Sequence, residues 1–556
     1  MKRKIKIGAA AIVVAVIMAL FAVSFAQNSK DSIYSLVKLS SDIAFKINAR
    51  YVDELDIQEL IYSGIRGMIE KLDPFSEFLE KKDFDHLMEA TSGKYSGLGM
   101  TIFLKDDWVT VVSPMEGTPA YRMGLRAGDR VIAIDDQSTK GMSTQDASNL
   151  MRGDAGTKVK LTITRPGADE QLEYTIERAV ITLKMVPYAG VIHDGKNKIG
   201  YIRLARFGEE AENELEEAIA RVTAEDIDGL IFDLRSNGGG LLNQAVQVAN
   251  DFLPKGSEVV YTQGRVSDQN RKHFATSDPK VPDIPMVVLV NEMSASASEI
   301  VAGAIQDSDR GVIVGNTTFG KGLVQQIYQL SEGAALKLTT AKWYVPSGRC
   351  IQKDSRSTRH PDDLNEVDTT AIDSSKLEIF HTRGGRIVYG GGGITPDITV
   401  EDVELSPISV NLERLSLFFD FSIKYTTEHP DLPPDFEVTE AMIAEFKQFL
   451  KEKEFTYKGQ LETAFDDFKE VVGEAGKSVD FTAEFERVDL LIQSDKDDDF
   501  DRNIDYIKRG LKRDILNRLH GESAVYEQIV LKTDPFVQKA VQILGSPKEY
   551  ASILGG

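Results

Sequence analysis

The sequence predicts a multi-domain α/β protein, and three short apolar runs carry that prediction. GLIFDL (229–234), IPMVVLV (284–290) and GVIVG (311–315) are short, uniformly apolar and bounded by turn residues, so they read as strands buried on both faces. The first two lead through glycine or small residues into helical patterns, LLNQAVQVANDFL (241–253) and EIVAGAIQD (299–307). Strand, turn and helix in alternation predict a sheet covered by helices. A chain of 556 residues is also long enough for several domains.

The flanking segments have a different character. TIFL (101–104), WVTVVS (108–113), DRVIAID (129–135) and VKLTITR (159–165) read as strands of a small β-rich domain, with one short helical pattern, DASNLMRG (146–153). Residues 28–91 read as mostly helical. Beyond residue 400, helical spacing recurs at 407–425, 439–453, 481–492 and 504–519 among many charges, which predicts an added helical domain.

Chemistry concentrates at Ser296, in SASASEIVAG (294–303), and Lys321, in TTFGKGLVQQ (317–326). A hydroxyl is a weak nucleophile at neutral pH and needs a neighbouring base. None of the seven histidines lies in these segments, although a Ser-His-Asp triad assembled in space stays open. Lys321 is the better base if burial beside Phe319, Leu323 and Val324 lowers its pKa from about 10.4 toward neutrality. Gly320 and Gly322 let the backbone pass close to the serine, and Gln325 stands where it can orient the amine. Ser296 falls at a strand-to-helix junction, where free amides favour a developing oxyanion. A second donor is available upstream, where GLIFDL runs through Arg235, Ser236 and Asn237 into Gly238, Gly239 and Gly240. Asp307, between the two motifs, reads either as support for the site or, more simply, as a solvated acid. The bland alternative is a serine in a small-residue run used for packing and a solvated lysine.

Two ligand-binding readings fail on required positions. GNTTFGK (315–321) fits the start of a P-loop, but Gly322 stands where Ser or Thr must hold Mg²⁺, and LVQQIYQL alternates like a strand where a helix is needed. Asp495, Asp497 and Asp499 have the opening spacing of a calcium loop, but Phe500 replaces the required Gly and Tyr506 the required Glu, so the run reads as a solvated acidic loop. No metal or organic cofactor is indicated. The net charge of −22, with no basic tract beyond the N-terminus, argues against nucleic acid. One cysteine, Cys350, excludes an internal disulfide framework and a lipid-modified cysteine at the start of a mature chain. Lys2, Arg3, Lys4 and Lys6 precede an apolar stretch over 7–26, which reads as an export signal ending before Gln27 or as a membrane anchor. Either one puts the body of the chain outside the cytoplasm, in the periplasm or on the outer side of an inner membrane.

The chain resembles the carboxyl-terminal processing, or tail-specific, proteases of the S41 serine peptidase family. IGYIRLARFG (199–208), GLIFDLRSNGGGLL (229–242), VNEMSASASEIVAGAIQD (290–307), VGNTTFGKGLVQ (314–325) and GGGITPDI (391–398) carry the resemblance, in the family's order and with its 25-residue step from serine to lysine. YSGLGM (95–100) and the strands after it resemble a PDZ domain, and LDPFSEFL (72–79) resembles the family's segment ahead of it. The resemblance implies Ser296 as nucleophile, Lys321 as general base and Gln325 as its orienting partner. It implies an oxyanion hole from amides near Gly238 and Gly239 with that of Ala297. The turn Gly97, Leu98, Gly99, Met100 corresponds to the PDZ loop that holds a peptide's terminal carboxylate beside an added strand. The expected layout is a signal or anchor at 1–26, a helical region at 27–93 serving positioning or self-association, and a PDZ domain at 94–178. An S41-type α/β catalytic domain at 179–404 and a helical domain at 405–556 follow. Expected partners are proteins with apolar C-termini, with inner-membrane association and a homo-oligomer or activating partner as further possibilities. The alternative is a noncatalytic scaffold that binds C-termini of envelope proteins.

Overall fold

The computed structural model describes residues 33–168, 170–353, 377–401, 404–476 and 481–555. The expected export segment lies outside them. They form two compact units, one from residues up to 84 with 325–339, the other from 85–324, 340–353 and the described residues beyond 376.

The larger unit is built on a six-stranded sheet in the order Tyr188–Asp194, Asn197–Arg203, Gly229–Asp233, Met286–Val290, Val312–Gly315, Ile398–Thr399. All neighbours pair in parallel except the first two. Its central strands are buried on both faces, as their uniform apolarity predicts. Side chains alternate between the faces. Leu230, Phe232, Met286, Val288 and Val290 pack against helices Ala211–Thr223, Leu242–Asn250 and Ala297–Asp307. Ile231, Val287, Leu289 and Val314 pack against helix Pro535–Leu544, through Val537, Ala540 and Ile543. Those three residues have no solvent exposure, and burying a side chain such as valine or isoleucine contributes roughly 1.5–3 kcal/mol. The last helices of the chain therefore complete the core of the sheet that carries Ser296.

The PDZ region forms a sheet in the order Met100–Lys105, Trp108–Pro114, Arg130–Ile134, Lys158–Thr164, Leu172–Glu177, with helices Pro119–Arg122 and Thr144–Met151. Lys94–Gly97 pairs with Ala179–Thr182 and brings the two ends of the domain together. Helix Leu417–Glu428 docks on this domain. Lys105 pairs with Asp420, Phe103 meets Phe419 edge-on, and Arg518 donates to the Ala127 carbonyl at 2.6 Å. Gly128, at φ +88°, lies so close to Ile423 that any Cβ there would come within 2.5 Å of its Cδ1.

The helical domain has its own aromatic core, centred on Phe418, Phe421 and Phe446. The helical reading of 407–425 is broken at Ser416 (φ +53°) into Pro407–Arg414 and Leu417–Glu428. Thr439 caps Glu440–Glu452 by accepting from the Met442 amide. The acidic run is not a loop, because Asp495 to Asp499 lie inside helix Thr482–Arg502. Arg502 pairs with both Asp495 and Asp499, and the Tyr457 hydroxyl donates to Asp499 at 2.6 Å.

In the smaller unit, residues 33–50 and Ile57–Ile69 are helical, but LDPFSEFL is not. Asp73 accepts from the Phe75 and Ser76 amides to make a turn, and Glu77–Leu79 is a strand paired with residues 335–337.

Candidate active site

Ser296 is the N-cap of helix Ala297–Asp307, which follows strand Met286–Val290 as the sequence predicts. Its φ of +55° lies in a region that non-glycine residues rarely occupy, at a cost of about 1–3 kcal/mol. Glu299, three residues on, accounts for how that conformation is held. Its carboxylate has no solvent exposure. One oxygen accepts from the Ser296 amide at 2.7 Å and the Lys321 amide at 3.0 Å, the other from the Gly320 amide at 2.7 Å and the Thr318 hydroxyl at 2.5 Å. Burial raises the Glu299 pKa, and the bonds from Thr318, Lys321, Gly320 and Ser296 oppose it. One carboxylate thus joins the backbone of the serine to that of the lysine loop. The sequence reading took Glu299 only as part of a helix start, although S-x-x-E is a capping-box signal.

The lysine loop is braced from its other side. Thr318 Oγ1 accepts from the Ile394 amide at 2.7 Å. The glycine run 390–393 is a turn whose Gly391 and Gly393 amides donate to Cys350 and Ile351 carbonyls. A Cβ on Gly393 would lie 2.4 Å from the Thr318 carbonyl oxygen. Gly322 donates to Gln352 Oε1 at 2.8 Å, and Lys321 is half-buried. Asp307 is not the solvated acid expected from sequence. It is buried and paired with the equally buried Arg349 at 2.7 Å, and it accepts the Ser347 amide at 3.0 Å.

The glycine turn after Gly229–Asp233 reaches the serine. A Cβ on Gly239 (φ +98°) would sit 2.8 Å from Ser296 Cβ and 2.9 Å from the Ala297 nitrogen, so only glycine fits. The Gly239 amide donates to Asn237 Oδ1 at 3.0 Å. Among the described residues, the Gly238 and Ala297 amides donate to no acceptor. Asn237, fully buried, donates to the Leu204 carbonyl at 2.9 Å, and its own carbonyl accepts from the Ala295 amide and the Ser298 hydroxyl. Behind the turn lies Asp233, to which Tyr201 donates at 2.7 Å, Arg203 at 3.0 Å and Arg235 at 2.7 Å. Burial opposes its ionisation, but Arg235 and Arg203 hold the carboxyl well below the usual range. The sequence reading named Arg235 only in passing and missed Asp233. Gln325 belongs to the smaller unit, where its side-chain amide donates to the Phe75 carbonyl.

Gly97, Leu98, Gly99 and Met100 line a cleft of about 360 Å³. Met100 and Ile102 stand on its strand side, and Gln145, Ser148 and Met151 on its helix side. The Gly99 carbonyl accepts from the Met115 amide and the Leu98 carbonyl from that of Ala120, which fixes the loop. At φ +76°, Gly99 would bring a Cβ within 2.4 Å of Thr118.

The pattern of peptidase family S41 matches residues 198–362, that of the PDZ domain residues 110–165, and that of a "Probable PDZ-protease, C-terminal helical domain" residues 408–544. A carboxy-terminal-processing protease of Bartonella bacilliformis is 38% identical over 63% of this chain and 81% of its own. A carboxyl-terminal-processing protease of Synechocystis is 38% identical over 53% of this chain and 69% of its own. The solved photosystem II D1 C-terminal processing protease is 33% identical, covering 55% of this chain and 83% of its own, at a TM-score of 0.35. With the serine, the glycine turn and the lysine loop in place, the chain belongs to peptidase family S41 as a serine-type, carboxyl-terminal processing protease that carries a PDZ domain.

Proposed function

We propose that Ser296 is the nucleophile and Lys321 the general base of this peptidase. The observation that carries the reading is Glu299, whose single carboxylate binds the backbones of both catalytic residues. The neutral Lys321 amine takes the Ser296 proton as Oγ attacks the peptide carbonyl carbon. The oxyanion is received by the Gly238 and Ala297 amides, with Gly239 packed against the serine. Lys321 then gives its proton to the leaving amine, and water, deprotonated by the same lysine, hydrolyses the acyl-enzyme. The PDZ loop Gly97 to Met100 holds the terminal carboxylate of a protein substrate with an apolar last residue. The body is exported, with residues 1–26 as a cleaved signal or an inner-membrane anchor, and it works as a homo-oligomer or with an activating partner. The noncatalytic-scaffold reading is disfavoured by the processing proteases among its relatives.

Lys321→Ala and Ser296→Ala each remove peptide-bond hydrolysis, and the double variant is hardly worse, since residues acting as one unit are non-additive. Near-wild-type cleavage by Lys321→Ala would exclude the lysine as base. A substrate with a free apolar C-terminus is cut faster than its amidated or Asp-terminated version, and deletion of 94–178 removes that preference. Fractionation with N-terminal sequencing checks the location: a full-length soluble cytoplasmic protein overturns it.

A further inference from the structure

We propose that Asp534, at the far end of the helical extension, is a positioning residue for the active site, acting through Arg235 on the glycine turn. The proposal rests on the assignment of Ser296 and the glycine turn above. Arg235 is shared between two carboxylates: its Nη2 and Nε donate to Asp233, and its Nη1 donates to both oxygens of Asp534, at 2.9 and 3.1 Å. The pair is shielded, since both side chains are only about 15% exposed. Burial opposes the charge on Arg235, and Asp233 and Asp534 more than restore it, raising its pKa. The Phe536 ring lies under the guanidinium at 5.0 Å.

Arg235 begins the turn that reaches the serine. Its own amide is bound by Asp233 at 2.9 Å, and the next residue, Ser236 (φ +54°), donates its amide to Asn291 at 2.7 Å. Gly238 and Gly239 follow. Without Asp534, the outer edge of the guanidinium loses its carboxylate in a shielded position, and Arg235 must turn toward solvent or redistribute on Asp233. Either change moves the start of the oxyanion turn, and a misplacement of about 1 Å at reacting groups costs up to roughly a hundredfold in rate. The extension thus contributes to catalysis as well as to the core.

Asp534 also caps helix Pro535–Leu544, accepting from the Phe536 and Val537 amides at 3.0 and 3.1 Å. Asp534→Ser separates the two roles, because serine keeps the cap and removes the carboxylate. With the full chain, kcat per active site, counted by titration with a serine-reactive phosphonate, should fall roughly tenfold to a hundredfold while KM changes little. Asp534→Asn, which also keeps a cap and lacks the charge, should match it. A double-mutant cycle with Arg235→Lys should be strongly non-additive in kcat. Wild-type kcat per titrated site in Asp534→Ser, or an additive cycle, overturns the proposal. Failure of the underlying assignment is distinguishable, because Ser296→Ala would then still cleave substrate.

Discussion

Glu299 and Asp251 are both carboxylates without solvent exposure in the same domain, and their surroundings are opposite. Glu299 lies in the first turn of a helix, where the macrodipole favours negative charge, and four donors converge on it. Asp251 is the C-cap of helix Leu242–Asn250, where the dipole disfavours it, and neither of its oxygens has a hydrogen-bond partner among the described residues. Lys280 stands 3.7 Å away but is also engaged by Glu216. Burial, helped by Glu212, pushes the Asp251 carboxyl up to about 7. Depth alone therefore does not set what a buried acid does. The donors around it decide whether it organises structure or makes stability depend on pH.

The largest effect expected from this contrast is at Glu299. Glu299→Ala leaves the half-buried amides of Ser296 and Lys321 and the buried amide of Gly320 without their acceptor, and each buried orphan costs about 1–3 kcal/mol. Glu299→Gln keeps the shape but turns an NH₂ group toward donors. A thermal melt should show marked loss for the alanine variant, and kcat for the glutamine variant should fall at least about a hundredfold. A glutamine variant with wild-type kcat would mean that the carboxylate does not position Ser296 and Lys321.

Asp251 gives the opposite sign. Its folded pKa of about 7 lies above the ordinary aspartate value of 3.8, so the native state is favoured while the group is protonated. That contribution is complete below the unfolded pKa and is lost as pH rises toward 7. Asp251→Asn, which cannot ionise, should therefore gain on the wild type by about 1.4 kcal/mol for each pH unit across that window, then level off. Urea denaturation of both proteins from pH 4.5 to 8.5 measures the difference. Parallel curves would show that folding does not raise the Asp251 pKa into this range.

The sequence carried the parts of the site that are local. Ser296 at a helix start, the lysine loop and the glycine turn each announce themselves within about a dozen residues, because nucleophile, close approach and turn all restrict residue type. The tie between them was written as the S-x-x-E step to Glu299 but looked like ordinary capping. Long-range partners left no trace: Arg235 and Asp534 are 299 residues apart, and the face of the sheet that Val537 and Ile543 cover is invisible before the chain folds. The acidic run at 495–499 misled for a related reason. Asp495 and Asp499 pair with Arg502 and Asp499 also accepts from the Tyr457 hydroxyl, and pattern alone shows the acids without their partners.

The smallest expected effect tests whether the Asp251 behaviour comes from burial or from its neighbour. Glu212 adds repulsion to a shift whose larger cause is desolvation, so removing its charge should leave most of the pH dependence intact. Glu212→Gln is a mild change, because the Glu212 amide still donates to Gln244 at 3.0 Å and a glutamine oxygen can still accept from Gln247. The pH at which the stability difference from Asp251→Asn levels off should move down by less than about one unit, corresponding to under about 1.4 kcal/mol. If instead Glu212→Gln abolishes the pH dependence, charge repulsion and not burial sets the Asp251 pKa, and the contrast with Glu299 becomes one of neighbouring charge, not of missing donors.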